Sequence, residues 1–255
     1  GDTTLPDRPL GLFHCSGATT AARPLAPFDP PLKLHFDLFR DKDGRPRNIA
    51  QTPGDGPTWL TALANLPDKE GREKLVATYM KVRSLDDIHE WGLAVWDGEN
   101  FQPRRTVWRK SAESPTPPPL PTGHAVRWTD DQGRDWVLFG HPFPSLKCPA
   151  TFEAWEDPAK WETLAVPGPL TAADGSGEVK PANGPHSGSI AWNGHRKRWI
   201  TVFQQSGGTP SPCGEIWYAE ADSPLGPWGP AVRVLSHRKH TFYNVRLHPE
   251  LTPPD

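Results

Sequence analysis

Three stretches decide the fold: Leu75-Val-Ala-Thr-Tyr-Met-Lys81, Trp136-Val-Leu-Phe-Gly-His-Pro142 and Trp199-Ile-Thr-Val-Phe-Gln-Gln205. They begin 61 and 63 residues apart, at positions 75, 136 and 199. Each is apolar and rich in β-branched or aromatic residues, which suits a buried strand. A first strand precedes each one, at Thr58 to Leu66, His124 to Trp128 and Gly188 to Trp192. The last two are joined to their partners by Thr-Asp-Asp-Gln-Gly-Arg134 and Asn-Gly-His-Arg-Lys-Arg198, both hairpin turns by composition. Third strands are expected at Trp91 to Trp96, Thr151 to Trp155 and Ile216 to Ala221, with short fourth strands beginning near Phe101, Trp161 and Trp228. A four-stranded unit repeated about every 60 residues reads as a β-propeller blade, since such a unit cannot bury both of its faces alone.

No helical period competes with this reading, so the fold class is all-β. Residues 55–110, 120–166 and 182–236 supply three blades, and 240–251 looks like the first strand of another. Residues 1–54 hold a partial blade, in which Leu32 to Phe39 alternates. Together these predict one domain, a propeller of about five blades that is incomplete in this chain. An unclosed ring would leave an exposed sheet edge, through which copies could self-associate.

Composition agrees. The chain has 32 prolines among its 255 residues, clustered between the proposed blades as in Ser114-Pro-Thr-Pro-Pro-Pro-Leu-Pro121 and Pro167-Gly-Pro169. Proline cannot donate to a sheet ladder and therefore suits connectors. Twelve Trp and ten Phe against one Met predict an interior of rigid flat side chains. A net charge of −2 offers no electrostatic case for nucleic acid, and His195-Arg-Lys-Arg198 falls at a hairpin tip. No apolar stretch is long enough to span a membrane. Cys15, Cys148 and Cys213 make no disulfide framework. Cys148 and Cys213 fall in equivalent loops, so isolated thiols, a bridge and a shared ligand role all stay open.

Blade topology brings the start of the first strand, the end of the second and the loop to the third to one rim. That rim collects Asp55, Thr58, His124, His186, Ser187, Tyr243 and Asn244, then Lys81, Arg83, His141, Gln204 and Gln205, and from the loops Asp86, Asp87, His89, Glu90, Cys148 and Glu215. So many polar side chains exceed what packing requires. His124, His141 and His186 could converge on an axial ion, since imidazole suits Zn, Cu, Fe or Ni, or could hydrogen-bond a sugar. Gln204, Gln205, Tyr243, Asn244 and Arg83 read as partners for sugar hydroxyls. No Gly-x-Ser-x-Gly elbow, Walker sequence or dinucleotide fingerprint is present, and the chemistry requires no cofactor.

The segment Gly214-Glu-Ile-Trp-Tyr-Ala-Glu-Ala-Asp-Ser-Pro-Leu-Gly-Pro-Trp228, followed by Thr241-Phe-Tyr-Asn244, resembles the five-bladed propellers of glycoside hydrolase families 43, 32 and 117 and bacterial propeller proteins related to them. The resemblance covers 180–251 and, more loosely, 55–166. It implies a central funnel, an Asp near the first blade's first strand as base or nucleophile, and a Glu as general acid. Asp55 matches that Asp best, although the family places it on the strand and here it lies in a Gly-Asp-Gly-Pro turn. Glu215 is the first choice for the acid, because it sits at a loop-to-strand junction where its neighbour Trp217 offers the apolar setting that suits a proton donor. Asp86, Asp87 and Glu90 form a further acidic cluster, which a solvated loop explains equally well. Two functions follow from the resemblance: hydrolysis of an extracellular polysaccharide or oligosaccharide by a secreted or periplasmic enzyme, or carbohydrate binding without catalysis.

Overall fold

The computed structural model describes residues 4–5, 8–9, 15–20, 35–84, 87–182, 187–207 and 213–251. Asp86, His186 and residues 32–34 lie outside them. The chain divides into two compact units, the first built largely on residues up to Pro118 and the second largely on Pro119–Pro249. The change falls inside the proline-rich stretch 114–121.

Three four-stranded antiparallel sheets follow one another along the chain, each with its strands in sequence order. The first contains β1 (Thr58–Pro67), β2 (Glu73–Ser84), β3 (Asp87–Trp96) and β4 (Phe101–Arg109). The second contains β5 (His124–Thr129), β6 (Asp135–Gly140), β7 (Pro144–Pro149) and β8 (Glu162–Thr163). The third contains β9 (Gly188–Asn193), β10 (Arg198–Gln204), β11 (Glu215–Ala221) and β12 (Val232–Ser236). These are blade-type meanders, and the three stretches that opened the sequence reading are the second strands β2, β6 and β10. The one α-helix among the described residues, α1 (Phe152–Glu156), has five residues, and no helix among them is long and apolar enough to cross a membrane.

Local turn chemistry repeats with the sheets. The β1–β2 hairpin closes on Asp68-Lys-Glu-Gly-Arg72 and the β5–β6 hairpin on Asp130-Asp-Gln-Gly-Arg134. In both, the Asp side chain accepts backbone N–H groups two and four residues on, at 2.9 to 3.0 Å, and the Arg Nε donates back to its other oxygen. A third copy, Asp41-Lys-Asp-Gly-Arg45, accepts from the N–H groups of Asp43 and Arg45 at 2.9 Å and brings Arg40 opposite Pro46. In the same segment Ala18–Thr19 pairs with Asp37–Leu38.

The core of the first unit joins Tyr79, Ala77 and Ala94 of β2 and β3 to Ile49, Ala50 and Phe101, with Phe39 and Trp96 against them. In the second unit, Phe143 packs on Phe203 and Trp228 with ring centroids 6.0 and 5.3 Å apart. Ile190, Trp217 and Ala219 complete that cluster, and the small hairpin Leu170–Thr171 with Glu178–Val179 covers it. The second and third sheets are thereby packed on each other through large flat side chains.

Four expectations need correction. The third strand of the second blade is Pro144–Pro149, not Thr151 to Trp155: Pro149 ends the strand, and Thr151 caps α1 by accepting the Ala154 N–H at 3.3 Å. Trp155 is fully buried, as a core Trp would be, but from a helix. The fourth strand of the third blade begins at Val232, since Pro224 and Pro227 occupy the stretch around Trp228, and that of the first blade is nine residues long rather than short. Residues 240–248 form no strand, and a 3-10 turn follows at Pro249–Leu251. The segment is held as a loop: Phe242 N–H donates to the Cys213 carbonyl at 3.1 Å, Leu247 N–H donates to Ser189 Oγ at 2.7 Å, and the Gln204 amide donates to the Phe242 carbonyl. Finally, Cys148 is a buried strand residue rather than a loop residue, and Cys15, Cys148 and Cys213 are all free thiols.

Candidate functional site

The start of β1, the end of β2, the start of β3 and the end of β4 meet at one end of the first sheet. There they enclose a cavity of about 380 Å³ lined by Pro53, Gly54, Asp55 and Arg83, and by His89, Glu90, Arg109 and Lys110.

Asp55 reaches it from a tightly closed loop. Thr52 and Thr58 clasp the loop's base, with their hydroxyls 2.9 Å apart and Thr52 N–H donating to Thr58 Oγ1 at 3.2 Å. Gly56 turns the chain at a φ of +78°, so close to β2 that a Cβ would lie 2.1 Å from the Val82 carbonyl oxygen. Only glycine fits both constraints. The buried Lys81 ammonium then donates to the carbonyls of Thr52 and Gly54, at 3.0 and 2.8 Å, pinning the loop from beneath. Asp55 itself is exposed and, among the described residues, has no hydrogen-bond partner.

Glu90 is the opposite case. Lys81 pairs with it across β2 and β3, and Arg109 across β3 and β4, so the register sets cation, anion and cation in one row. Arg109 Nε donates to Glu90 Oε2 at 2.6 Å, and the Tyr79 hydroxyl donates to Oε1 at 2.8 Å. Each oxygen keeps a second acceptor site, because a carboxylate offers about four. Burial lowers the Lys81 pKa, with the charges of Glu90 and Asp55 working in the opposite direction. Burial also pushes the Tyr79 phenol up to about 12, aided by its bond to Glu90.

Beside this row, Lys110 Nζ donates to Asp87 Oδ1 at 2.8 Å and holds that carboxyl below the usual range, while Arg83 stands 3.7 Å from the other Asp87 oxygen. Among the described residues, His89 Nδ1 is buried without a partner. Such an atom costs about 1–3 kcal/mol relative to a satisfied one.

The structure therefore brings Asp55, Asp87, Glu90 and Arg83 together. It adds Tyr79, Arg109 and Lys110, which the sequence reading passed over. The signal for the last two was available, since the end of a fourth antiparallel strand reaches the same rim as the start of the third.

The remaining candidates belong to the second unit. Glu215 is buried at the start of β11, with Oε2 accepting from the Trp217 indole and Oε1 from Arg233, both at 3.1 Å. Its surroundings are thus hydrogen-bonding rather than simply apolar. His124 Nε2 meets the Ile190 carbonyl at 3.0 Å, which requires the nitrogen to donate, and His141 Nε2 lies 3.1 Å from Thr122 Oγ1. Among the described residues, no three His, Cys, Asp or Glu side chains come together as metal ligands. Gln204 is buried with its amide on Phe242, whereas Tyr243 is exposed and Asn244 occupies a left-handed turn at φ +56°. Among the described residues, Gln205 Oε1 is buried without a partner.

The chain is similar to a GH43_1 enzyme from Xanthomonas citri at 13% identity and a TM-score of 0.35, over 69% of this chain and 56% of that one. It is similar to Zg3597, a family 117 glycoside hydrolase from Zobellia galactanivorans, at 12% identity and 0.40, over 84% and 60%. It is also similar to an endo-1,5-α-L-arabinanase from Thermotoga petrophila at 16% identity and 0.36, over 78% and 48%. These are glycoside-cleaving enzymes. The chain spans about half to three fifths of their lengths. No family model matches it, and no curated protein is significantly similar.

Proposed function

We propose that the protein takes a chain of an extracellular polysaccharide or oligosaccharide into the cavity of the first unit and hydrolyses a glycosidic bond there, with Asp55 and Glu90 as the carboxyl pair. The supporting observation is that these two carboxyl groups line one cavity in contrasting states, one engaged by Arg109 and Tyr79 and one, among the described residues, without a hydrogen-bond partner. Glycoside cleavage uses two carboxyl groups in different roles, roughly 5 to 9.5 Å apart. Glu90, paired with Arg109, serves the anomeric carbon through its remaining acceptor sites. Asp55 gives a proton to the leaving oxygen. Overall, water adds across the broken carbon–oxygen bond. Glu215 orients groups within its own sheet through Trp217 and Arg233.

A second reading, carbohydrate binding without cleavage, draws on the same geometry, because both Glu90 oxygens already accept a hydrogen bond. A polysaccharide panel assayed for released reducing ends separates the two. Wild type is run beside Asp55→Asn, Glu90→Gln and Glu215→Gln. Hydrolysis predicts that the first two variants lose at least about 100-fold in rate, in line with loss of a positioned acid or base, and that the third keeps most of it. Binding of a polysaccharide with no release by wild type establishes the second reading instead.

A further inference from the structure

We infer that the ligand of this cavity is an acidic sugar whose carboxylate is met by Arg83, an inference that rests on the carbohydrate reading above. Among the described residues four cations stand at the cavity, Arg83, Arg109 and Lys110 in its lining and Lys81 beneath the loop that carries Asp55. Three of the cations are committed: Lys81 to the Thr52 and Gly54 carbonyls, Arg109 to Glu90 at 2.6 Å, and Lys110 to Asp87 at 2.8 Å. Arg83 is the exception. Its side chain lines the cavity, is 58% exposed, and among the described residues has only Asp87 at 3.7 Å, beyond hydrogen-bonding distance. Asp87 already accepts from Lys110 and competes weakly for it.

An uncommitted guanidinium presents five donors in a planar fork that matches a carboxylate two to two. A neutral sugar would use those donors singly, whereas a carboxylate takes two of them at once. The carboxylate of a uronic acid unit is therefore the complementary group, with its ring hydroxyls left for Asp55 and Glu90.

Isothermal titration with galacturonate, glucuronate and mannuronate–guluronate oligosaccharides, each beside its neutral counterpart, tests this. Dextran sulfate serves as a general polyanion. At least one uronate series is expected to bind ten-fold or more tightly than its neutral partner and than dextran sulfate. Arg83→Gln is expected to reduce that preference to under two-fold, and Arg83→Lys to an intermediate value, with thermal melting unchanged for so exposed a side chain. Equal binding of acidic and neutral sugars overturns the inference and leaves the carbohydrate reading standing, as does a preference that survives in Arg83→Gln. Dextran sulfate binding as tightly as every uronate overturns it in favour of general charge attraction. No binding by any sugar removes both.

Discussion

Tyr79 lies over Gly92 on the neighbouring strand and carries its hydroxyl diagonally to Glu90, at 2.8 Å. The glycine is what makes room: a Cβ at position 92 would fall 2.4 Å from the Tyr79 ring. Ring and carboxylate therefore depend on one another across β2 and β3. Tyr79→Phe keeps the ring and removes the bond, leaving a buried carboxylate oxygen one donor short. A loss of about 1–3 kcal/mol in urea denaturation is expected, and an unchanged midpoint would contradict the bond.

Tyr79 and Tyr218 have phenols pushed up to about 12, in both cases chiefly by burial. Unfolded tyrosines ionise near pH ~10. The fold favours the neutral form, so its advantage is complete below that pH and disappears as the pH rises through about 12. Denaturation midpoints should fall steeply over this alkaline window, and Tyr79→Phe should make the decline shallower.

Asp130 shows the opposite sign. Partial burial works against its charge, but the Trp136 indole, the Arg134 backbone and side chain and the Gln132 N–H outweigh it and hold the carboxyl far below the usual range. Asp68, in the equivalent turn, is held at about 2 by Arg72 and by the Glu70 N–H, again against burial. Depressed folded values mean that this stability is present above about pH 4 and lost as pH falls. Asp130→Asn should therefore destabilise the protein at pH 6 more than at pH 3, as read by chemical denaturation at both values. Equal losses would refute the linkage.

Gly123 precedes β5 at a φ of +84°, and a Cβ there would stand 2.1 Å from the Gly140 carbonyl at the end of β6. Gly56 makes the same approach to Val82 ahead of β1. Gly123→Ala should cost at least about 2 kcal/mol, through the left-handed backbone and the displaced strand end together. A thermal melt within a degree of wild type would show that the loop has another way to close.

The loop 237–248 should be releasable. Gln204→Leu removes the amide that fastens Phe242 while keeping an apolar group at a buried site. Limited proteolysis should then cut near Arg238 or Lys239 several-fold faster, with far-ultraviolet circular dichroism unchanged.

Much of the fold was legible because strand alternation and hairpin turns are local. Leu75–Lys81 announces a buried strand by its own composition, and Asp130 closes its hairpin with groups no more than six residues away. The failures came where neighbouring elements decide. Thr151 to Trp155 has strand-like residues, yet capping by Thr151 after Pro149 makes it helical. The stretch 240–251 alternates like a first strand, yet the side chains of Gln204 and Ser189 take its backbone groups singly. Glu215 looked apolar beside Trp217 because Arg233, eighteen residues on, had no visible connection to it.

From the residues alone one could determine the repeat, the all-β class and the rim to which Asp55, Arg83, Asp87 and Glu90 belong, since strand direction follows from hairpin order. Which of those side chains is tied and which is open was decided only in three dimensions. The pairing of β2 with β3 slips at Lys81, Val82 and Ser84, and such irregularities re-aim side chains by amounts that depend on both strands at once. Lys81 reaches Thr52 across 29 positions and Arg109 reaches Glu90 across 19, contacts that exist only after the sheet has set its register.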